Sequence, residues 1–167
     1  MKMNTNTIIL VVTTLSSGLM AGLFYTWSIS VTPGLAKVGN ENYLQAFQSM
    51  NRAILNPAFF IFFMGLVILL PLLSYLYYQS PISAQFWYII SAAVLYIVGT
   101  MSVTIVGNVP MNNALEVLQI ESMNPEQMTT FRLGFESKWN KLNMIRTVCS
   151  SLAFVSLIIA CLQDSNK

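Results

Sequence analysis

The sequence predicts an all-α integral membrane protein: a bundle of four transmembrane helices, with an amphipathic helix between the first two spans and a long fourth helix that projects from the membrane. Of its 167 residues, 55% are hydrophobic and only 8% are charged, whereas soluble domains carry about 25% charged residues. No charged residue lies between Lys2 and Lys37 or between Arg52 and Glu116. A spanning helix needs only about 20 apolar residues, so both charge-free stretches are long enough to cross a membrane. The length of the chain indicates a single membrane domain over 1–167.

Each span is delimited by its apolar run and by helix signals. The first run, of roughly 24 residues, exceeds the 7–15 residues of a signal-peptide core, so we interpret it as retained. The second begins at Asn56-Pro57, with Asn as N-cap and Pro in the first turn. The connection at 79–81 is so short that spans two and three form an antiparallel hairpin. The four predicted spans are 7–30, 57–78, 83–106 and 143–162.

The fourth helix begins well before its apolar run. Asn124-Pro125 is a helix-opening signal, and one helix over 125–162 would be about 57 Å long against a hydrocarbon core of about 30 Å. Its first half is therefore expected to project from the bilayer.

The two long connections, 31–56 and 107–142, share one face of the predicted bundle. The first contains an amphipathic helix over 41–55, and Pro110 is expected to end or break the helix of span three. Of the eight Lys and Arg residues, only Lys2 and Lys167 fall on the opposite face. The positive-inside rule then predicts a multi-pass protein of the cell membrane with cytoplasmic long loops.

Composition excludes several classes of function. A net charge of +2 is too small for a nucleic-acid footprint. The absence of histidine removes the usual general base and the commonest metal ligand, and no metal-ligand or dinucleotide motif is present, so neither a metal nor a cofactor is predicted. Cys149 and Cys161 are separated by roughly 18 Å of helix rise and cannot pair with each other.

Polar residues of the fourth helix fall on one face. At 100° per residue they occupy a stripe of about 80°, whereas Lys138 and Lys141 fall on the far side. The stripe either faces a pocket or consists of juxtamembrane charges with Arg146 snorkelling to the interface. Its members are Arg132, Glu136, Trp139, Asn143, Arg146 and Ser150.

Two further groups of polar residues lie in the long connections. On the helix over 41–55, Asn51 falls within the apolar face and Arg52 at its edge, where they either suit an interfacial helix or point into a cavity. Asn108 and Asn112 either cap helix ends or supply amide donors to the same pocket. We expect Asn51, Asn108, Asn143 and Arg146 to converge at the end of the bundle that carries the long loops.

Several short motifs lie along the chain. They are Gly18-Leu-Met-Ala-Gly22-Leu-Phe-Tyr-Thr-Trp27, Pro33-Gly34-Leu35, Met50-Asn51-Arg52, Asn56-Pro57, Asn108-x-Pro110-x-Asn112-x-x-Leu115 and Trp139-x-x-x-Asn143-x-x-Arg146-Thr147. Together these motifs resemble the anthrone-oxygenase-like family of small four-span membrane proteins. The resemblance implies a four-helix membrane bundle and, for the named members, oxidation of a polyketide anthrone to an anthraquinone by O₂ without a cofactor.

If the chain is such a cofactor-independent monooxygenase, Glu136 is the candidate base and Arg146 the candidate partner of the substrate anion. The candidate substrate-binding residues supply amides, a guanidinium and stacking rings: Asn51, Arg52, Asn108, Asn112, Trp139, Asn143 and Trp27.

A second hypothesis is a non-enzymatic protein that binds or carries a small apolar molecule, or a subunit that packs on others. The polar stripe would then only join the four helices. The partners expected from the sequence are the lipid bilayer and an apolar small molecule. Gly18 and Gly22 form a small-residue face for packing within the bundle or in a homo-oligomer.

Overall fold

The computed structural model describes residues 4–163, and within that range four helices are long and apolar enough to cross a membrane. We call them α1 (Thr5–Leu35), α3 (Pro57–Leu76), α4 (Ala84–Glu116) and α5 (Pro125–Leu162). The amphipathic helix α2 (Asn40–Ile54) lies between α1 and α3. The predicted all-α membrane bundle, with its intervening helix and its long fourth span, is confirmed.

Side-chain caps fix where the spanning helices begin. The side-chain oxygen of Asn56 accepts a hydrogen bond from the backbone N–H of Phe59, and Pro57 occupies the first turn of α3. Asn124 and Gln127 form a reciprocal capping box at the start of α5, with both hydrogen bonds 2.9 Å long. These caps satisfy N–H groups that a helix start leaves without intrahelical partners.

Two spans run further than the sequence predicted, and both contain π-helical turns. α1 passes through a π-helical segment at Trp27–Val31 before it ends, and α4 contains two such segments at Leu95–Ser102 and Thr104–Asn108. The expectation that Pro110 ends the helix of span three is wrong, since α4 continues to Glu116. Pro110 lies inside this continuous helix, in the α-helical turn directly after the last π-helical segment.

The bundle has two hydrophobic cores along its length. The membrane core is formed by side chains of α1, α3, α4 and α5 that are almost fully buried, among them Leu66, Leu70, Ile89, Tyr96 and Leu157. The second core lies at the end with the long connections, where α2 packs over α5; it includes Tyr43, Leu44, Phe47, Leu115, Phe135 and Trp139. α2 therefore covers one end of the bundle.

Glycines allow α5 to approach its neighbours closely. A Cβ on Gly18 of α1 would lie 2.9 Å from the Phe154 ring, and one on Gly107 of α4 would lie 2.8 Å from Leu142. A Cβ on Gly22, in contrast, would meet nothing within 4 Å in the described part of the chain. Of the predicted small-residue pair, Gly18 therefore packs inside the bundle.

Lys2 and Lys167, which define the less positive face in the sequence, lie outside the described residues. The cytoplasmic placement of the long loops stays a prediction.

Candidate functional site

A cavity of about 100 Å³ lies where α1, α4 and α5 meet beneath the C-terminal end of α2. Most of its wall is apolar or aromatic, and five lining side chains are polar. The lining residues are Leu23, Phe24, Trp27, Met50, Asn51, Ile54, Leu55, Phe59, Thr104, Val109, Asn112, Trp139, Asn143 and Arg146.

Arg146 supplies the positive charge of the cavity. Its side chain is buried, and its Nη2 donates to Asn143 Oδ1 at 2.8 Å, while Nη1 lies 3.5 Å from Thr104 Oγ1. The guanidinium carbon stands 4.7 Å from the centre of the Phe24 ring and 5.2 Å from that of Trp139. Within residues 4–163, its Nε is buried and has no hydrogen-bond partner.

The amide of Asn143 is oriented by hydroxyl groups on two helices. Its Nδ2 donates to Ser28 Oγ at 2.8 Å, Ser28 shares a 2.8 Å hydrogen bond with Thr147, and Thr147 Oγ1 donates to the carbonyl oxygen of Phe24. Because the nitrogen is engaged on the α1 side, the amide oxygen faces Arg146. Ser28 and Thr147 thus position the partner of the buried cation.

Neither hydroxyl residue was assigned a role from the sequence, although Thr147 ends the last of the family motifs. Thr147 falls on the same face of α5 as Asn143 in a 100° projection, so a signal for it was present. Ser28 lies in the π-helical segment of α1, where α-helical periodicity no longer gives the direction of a side chain.

The end of α2 forms the roof of the cavity, as one of the two interpretations of this helix predicted. Asn51 lines the cavity, and its buried Nδ2 has no hydrogen-bond partner among the described residues. The neighbouring Arg52 points away, since its exposed side chain pairs with Glu116 through a 2.6 Å contact between Nε and Oε1. The structure therefore brings Asn51 to the cavity and leaves Arg52 on the surface.

Aromatic rings form one wall. The ring centres of Trp27 and Trp139 are 5.1 Å apart, and Phe47 packs on both. Trp139 Nε1 donates to Asn112 Oδ1 at 2.8 Å, which links α5 to the end of α4. Both tryptophans and Asn112 therefore line the same cavity as Arg146.

Asn108 is fully buried but is not a lining residue in the described structure. Neither its Oδ1 nor its Nδ2 has a hydrogen-bond partner within residues 4–163. Its side chain makes no capping hydrogen bond either, because the helix continues through this position. Of the four residues expected to converge, Asn51, Asn143 and Arg146 meet at the cavity and Asn108 does not.

Glu136 lies outside the cavity lining of the described structure and accepts a 2.8 Å hydrogen bond from Arg132 Nε. The other donors of Arg132 bind Asn40 Oδ1 and the carbonyl oxygens of Leu35, Ala36 and Val38. This pair fastens the connection between α1 and α2 to α5.

The Arg132 guanidinium also stands 4.2 Å from the centre of the Tyr43 ring. Burial, with a smaller contribution from the Glu136 carboxylate, raises the pKa of Tyr43 above its usual range. Tyr43 is therefore neutral beside the ion pair at physiological pH.

The outward face of α5 agrees with the predicted polar stripe. Lys138 and Lys141 are exposed, whereas Ser150 is fully buried and donates to the carbonyl oxygen of Thr147. Within residues 4–163, no three His, Cys, Asp or Glu side chains lie close enough together to hold a metal ion.

The fold and the site define a class of protein: a four-helix membrane bundle with an aromatic-walled cavity that is lined by one cation and three side-chain amides. The sequence model of a family described as anthrone oxygenase matches residues 59–156, more than half of the chain. The chain belongs to this family, as the motifs predicted. No curated protein and no solved structure matches it. The matched segment contains Asn112, Trp139, Asn143 and Arg146, whereas Trp27 and Asn51 precede it.

Proposed function

We propose that the chain oxidises an apolar aromatic substrate of the anthrone type with O₂ in this cavity, without a bound cofactor. The observation that carries the proposal is Arg146, a buried cation that lies between aromatic rings and side-chain amides in a member of the anthrone oxygenase family. The exposed apolar side chains of Leu55 and Val109 at the cavity suit entry of the substrate from the lipid side.

The chemistry requires stabilisation of one anion. Loss of a proton from the methylene between two aromatic rings gives a carbanion whose charge spreads onto the carbonyl oxygen. Arg146 lowers the energy of this oxyanion, because hydrogen bonds from a preorganised cation strengthen as the charge develops. Electron transfer to O₂ and recombination at the same carbon give a peroxide, which takes up a proton and loses water. One anthrone and one O₂ thus yield one anthraquinone and one water.

Glu136 is a weaker candidate for the base than the sequence suggested. Its carboxylate is engaged by Arg132 and, in the described part of the chain, is not among the cavity-lining groups. We therefore assign the principal catalytic role to Arg146 and to the side-chain amides beside it.

The test measures O₂ uptake and quinone absorbance with purified protein and a simple anthrone. Arg146→Met should lower kcat by about 10²- to 10³-fold, the usual cost of removing an oxyanion donor. Lys138→Gln on the exposed side of α5 is the matched control and should keep the wild-type rate. Equal rates for wild type and Arg146→Met, or no uptake above the protein-free rate, would refute the proposal. A loss in Glu136→Gln as large as that in Arg146→Met would restore Glu136 as the base.

A second candidate function is non-catalytic binding of a small apolar molecule. The size of the cavity favours a ligand smaller than an anthrone, because about 100 Å³ is less than the roughly 300–1,000 Å³ of typical ligand pockets. Saturable binding of a single-ring phenol, with no O₂ uptake when an anthrone is supplied, would support this alternative.

A further inference from the structure

Two hydrogen-bond donors in the cavity have no acceptor in the described part of the chain: Nε of Arg146 and Nδ2 of Asn51. They come from different helices, α5 below and α2 above, and both residues line the same space. Buried donors normally have partners, and leaving one without a partner is costly, most of all when it is charged. The two donors therefore indicate a missing acceptor between α5 and α2.

The charge of Arg146 specifies that acceptor further. Its other two nitrogens contact neutral oxygens, those of Asn143 and Thr104. The two ion pairs within residues 4–163 lie elsewhere: Arg132 with Glu136 at the α1–α2 connection, and Arg52 with Glu116 on the surface. A buried cation without a counter-ion is strongly unfavourable, so this cavity favours an anion over a neutral acceptor.

We propose that the cavity binds its ligand through an ionised oxygen, the phenolate or enolate of a flat apolar ring system, which accepts hydrogen bonds from Arg146 Nε and Asn51 Nδ2. The aromatic wall of Trp27 and Trp139 favours a ring over an acyl chain, because offset aromatic pairs are worth about 0.5–1.5 kcal/mol beyond area burial. As a statement about the substrate, the proposal rests on the proposed function.

Preferential binding of the anion also explains how the ligand loses its proton. A site that binds the anion more tightly than the neutral form lowers the pKa of the bound hydroxyl group. The acidic proton then passes to water as the ligand binds, and no base from the protein is needed. This accounts for a cavity in which the described lining residues include a cation but no carboxylate.

The experiment uses 4-nitrophenol, whose phenolate has its own visible absorbance and which O₂ does not oxidise. Its ionisation midpoint is measured with purified full-length protein in detergent and in the same micelles without protein. We expect binding to lower the midpoint by about 1 to 2 pH units, the effect of an opposite charge within hydrogen-bonding reach. The methyl ether 4-nitroanisole has no ionisable proton and should bind at least about tenfold more weakly, since one pKa unit corresponds to a factor of ten.

Matched variants separate the two donors from general packing. Arg146→Met should abolish the midpoint shift, and Asn51→Leu should weaken phenolate binding about 10- to 150-fold, the loss of one hydrogen bond to a charged group. Lys138→Gln, which removes an exposed cation from the same helix, should leave the midpoint unchanged.

A shift that persists in Arg146→Met, or equal affinity for 4-nitroanisole, overturns the proposal. If Arg146→Met does not fold, Asn51→Leu is the deciding variant. An unchanged affinity for the phenolate in Asn51→Leu refutes a site in which donors from α5 and α2 bind the same oxygen. Displacement of the probe by octanoate at lower concentration than by benzoate, a ring with the same ionised carboxylate, would assign the site to acyl chains and contradict the ring assignment. Since 4-nitrophenol is not oxidised, a normal midpoint shift without anthrone oxidation refutes the proposed function alone.

Discussion

Gly99 is the position at which a single added methyl group should most disturb the packing of α4 against α5. A Cβ on residue 99 would lie 2.6 Å from the Cβ of Cys149 and still closer to its sulfur. The two Cβ atoms are bonded directly to the helix backbones, so rotation of a side chain cannot relieve the contact between them. The helices therefore have to separate.

Overpacking of this kind costs about 1–3 kcal/mol, and for a chain of this size each kcal/mol lowers Tm by about 2–4 °C. Gly99→Ala should therefore lower Tm by about 2 to 12 °C when helical circular dichroism is followed on heating in detergent. Gly65→Ala in α3 is the matched control: among the described residues nothing lies within 4 Å of its added Cβ, and Ala is the better helix former by about 0.5–1 kcal/mol.

A double variant tests whether the cost comes from this one contact. Cys149→Gly removes both atoms that the new methyl group would meet. Its effect on the free energy of unfolding should therefore be more favourable by at least about 1 kcal/mol in the Gly99→Ala background than in the wild type. A Gly99→Ala protein as stable as Gly65→Ala, or additive effects of the two changes, would show that α4 and α5 are not in close contact here.

Two further predictions concern the ion pairs. Arg52→Gln should change the free energy of unfolding by less than about 1 kcal/mol, because its pair with Glu116 is solvent-exposed; a larger change in Tm would indicate a buried role. Arg132→Met should destabilise the protein by about 3–5 kcal/mol, because it removes the donors that bind the Glu136 carboxylate and the carbonyl oxygens of residues 35, 36 and 38. Limited proteolysis should then cut first between α1 and α2. Cleavage at the wild-type rate would show that Arg132 does not hold this connection against α5.

Helical periodicity predicted much of the part of the candidate site that lies on α5. The stripe on α5 could be predicted because an unbroken α-helix converts residue spacing directly into direction. Asn143, Trp139 and Arg146 accordingly lie at one cavity, and Lys138 faces outward.

Periodicity specified only the ion pair that lies within one helix. Arg132 and Glu136 are four residues apart on α5, a spacing that brings opposite charges together, and their side chains form a hydrogen bond. Arg52 instead pairs with Glu116, a residue 64 positions away in the chain. Whether those two ions meet depends on how α2 packs against α4, and spacing along one helix carries no such information.

The sequence by itself determined that the chain forms four long apolar helices, where capped helices begin, and which face of α5 is polar, because composition, caps and periodicity are local properties. Only the tertiary structure decided that the end of α2 closes the cavity, that α4 continues past Pro110 through π-helical turns, and that Ser28 orients the amide of Asn143. These features depend on contacts between distant segments and on departures from α-helical geometry. They place Arg146 in the cavity with a donor that has no acceptor in the described protein.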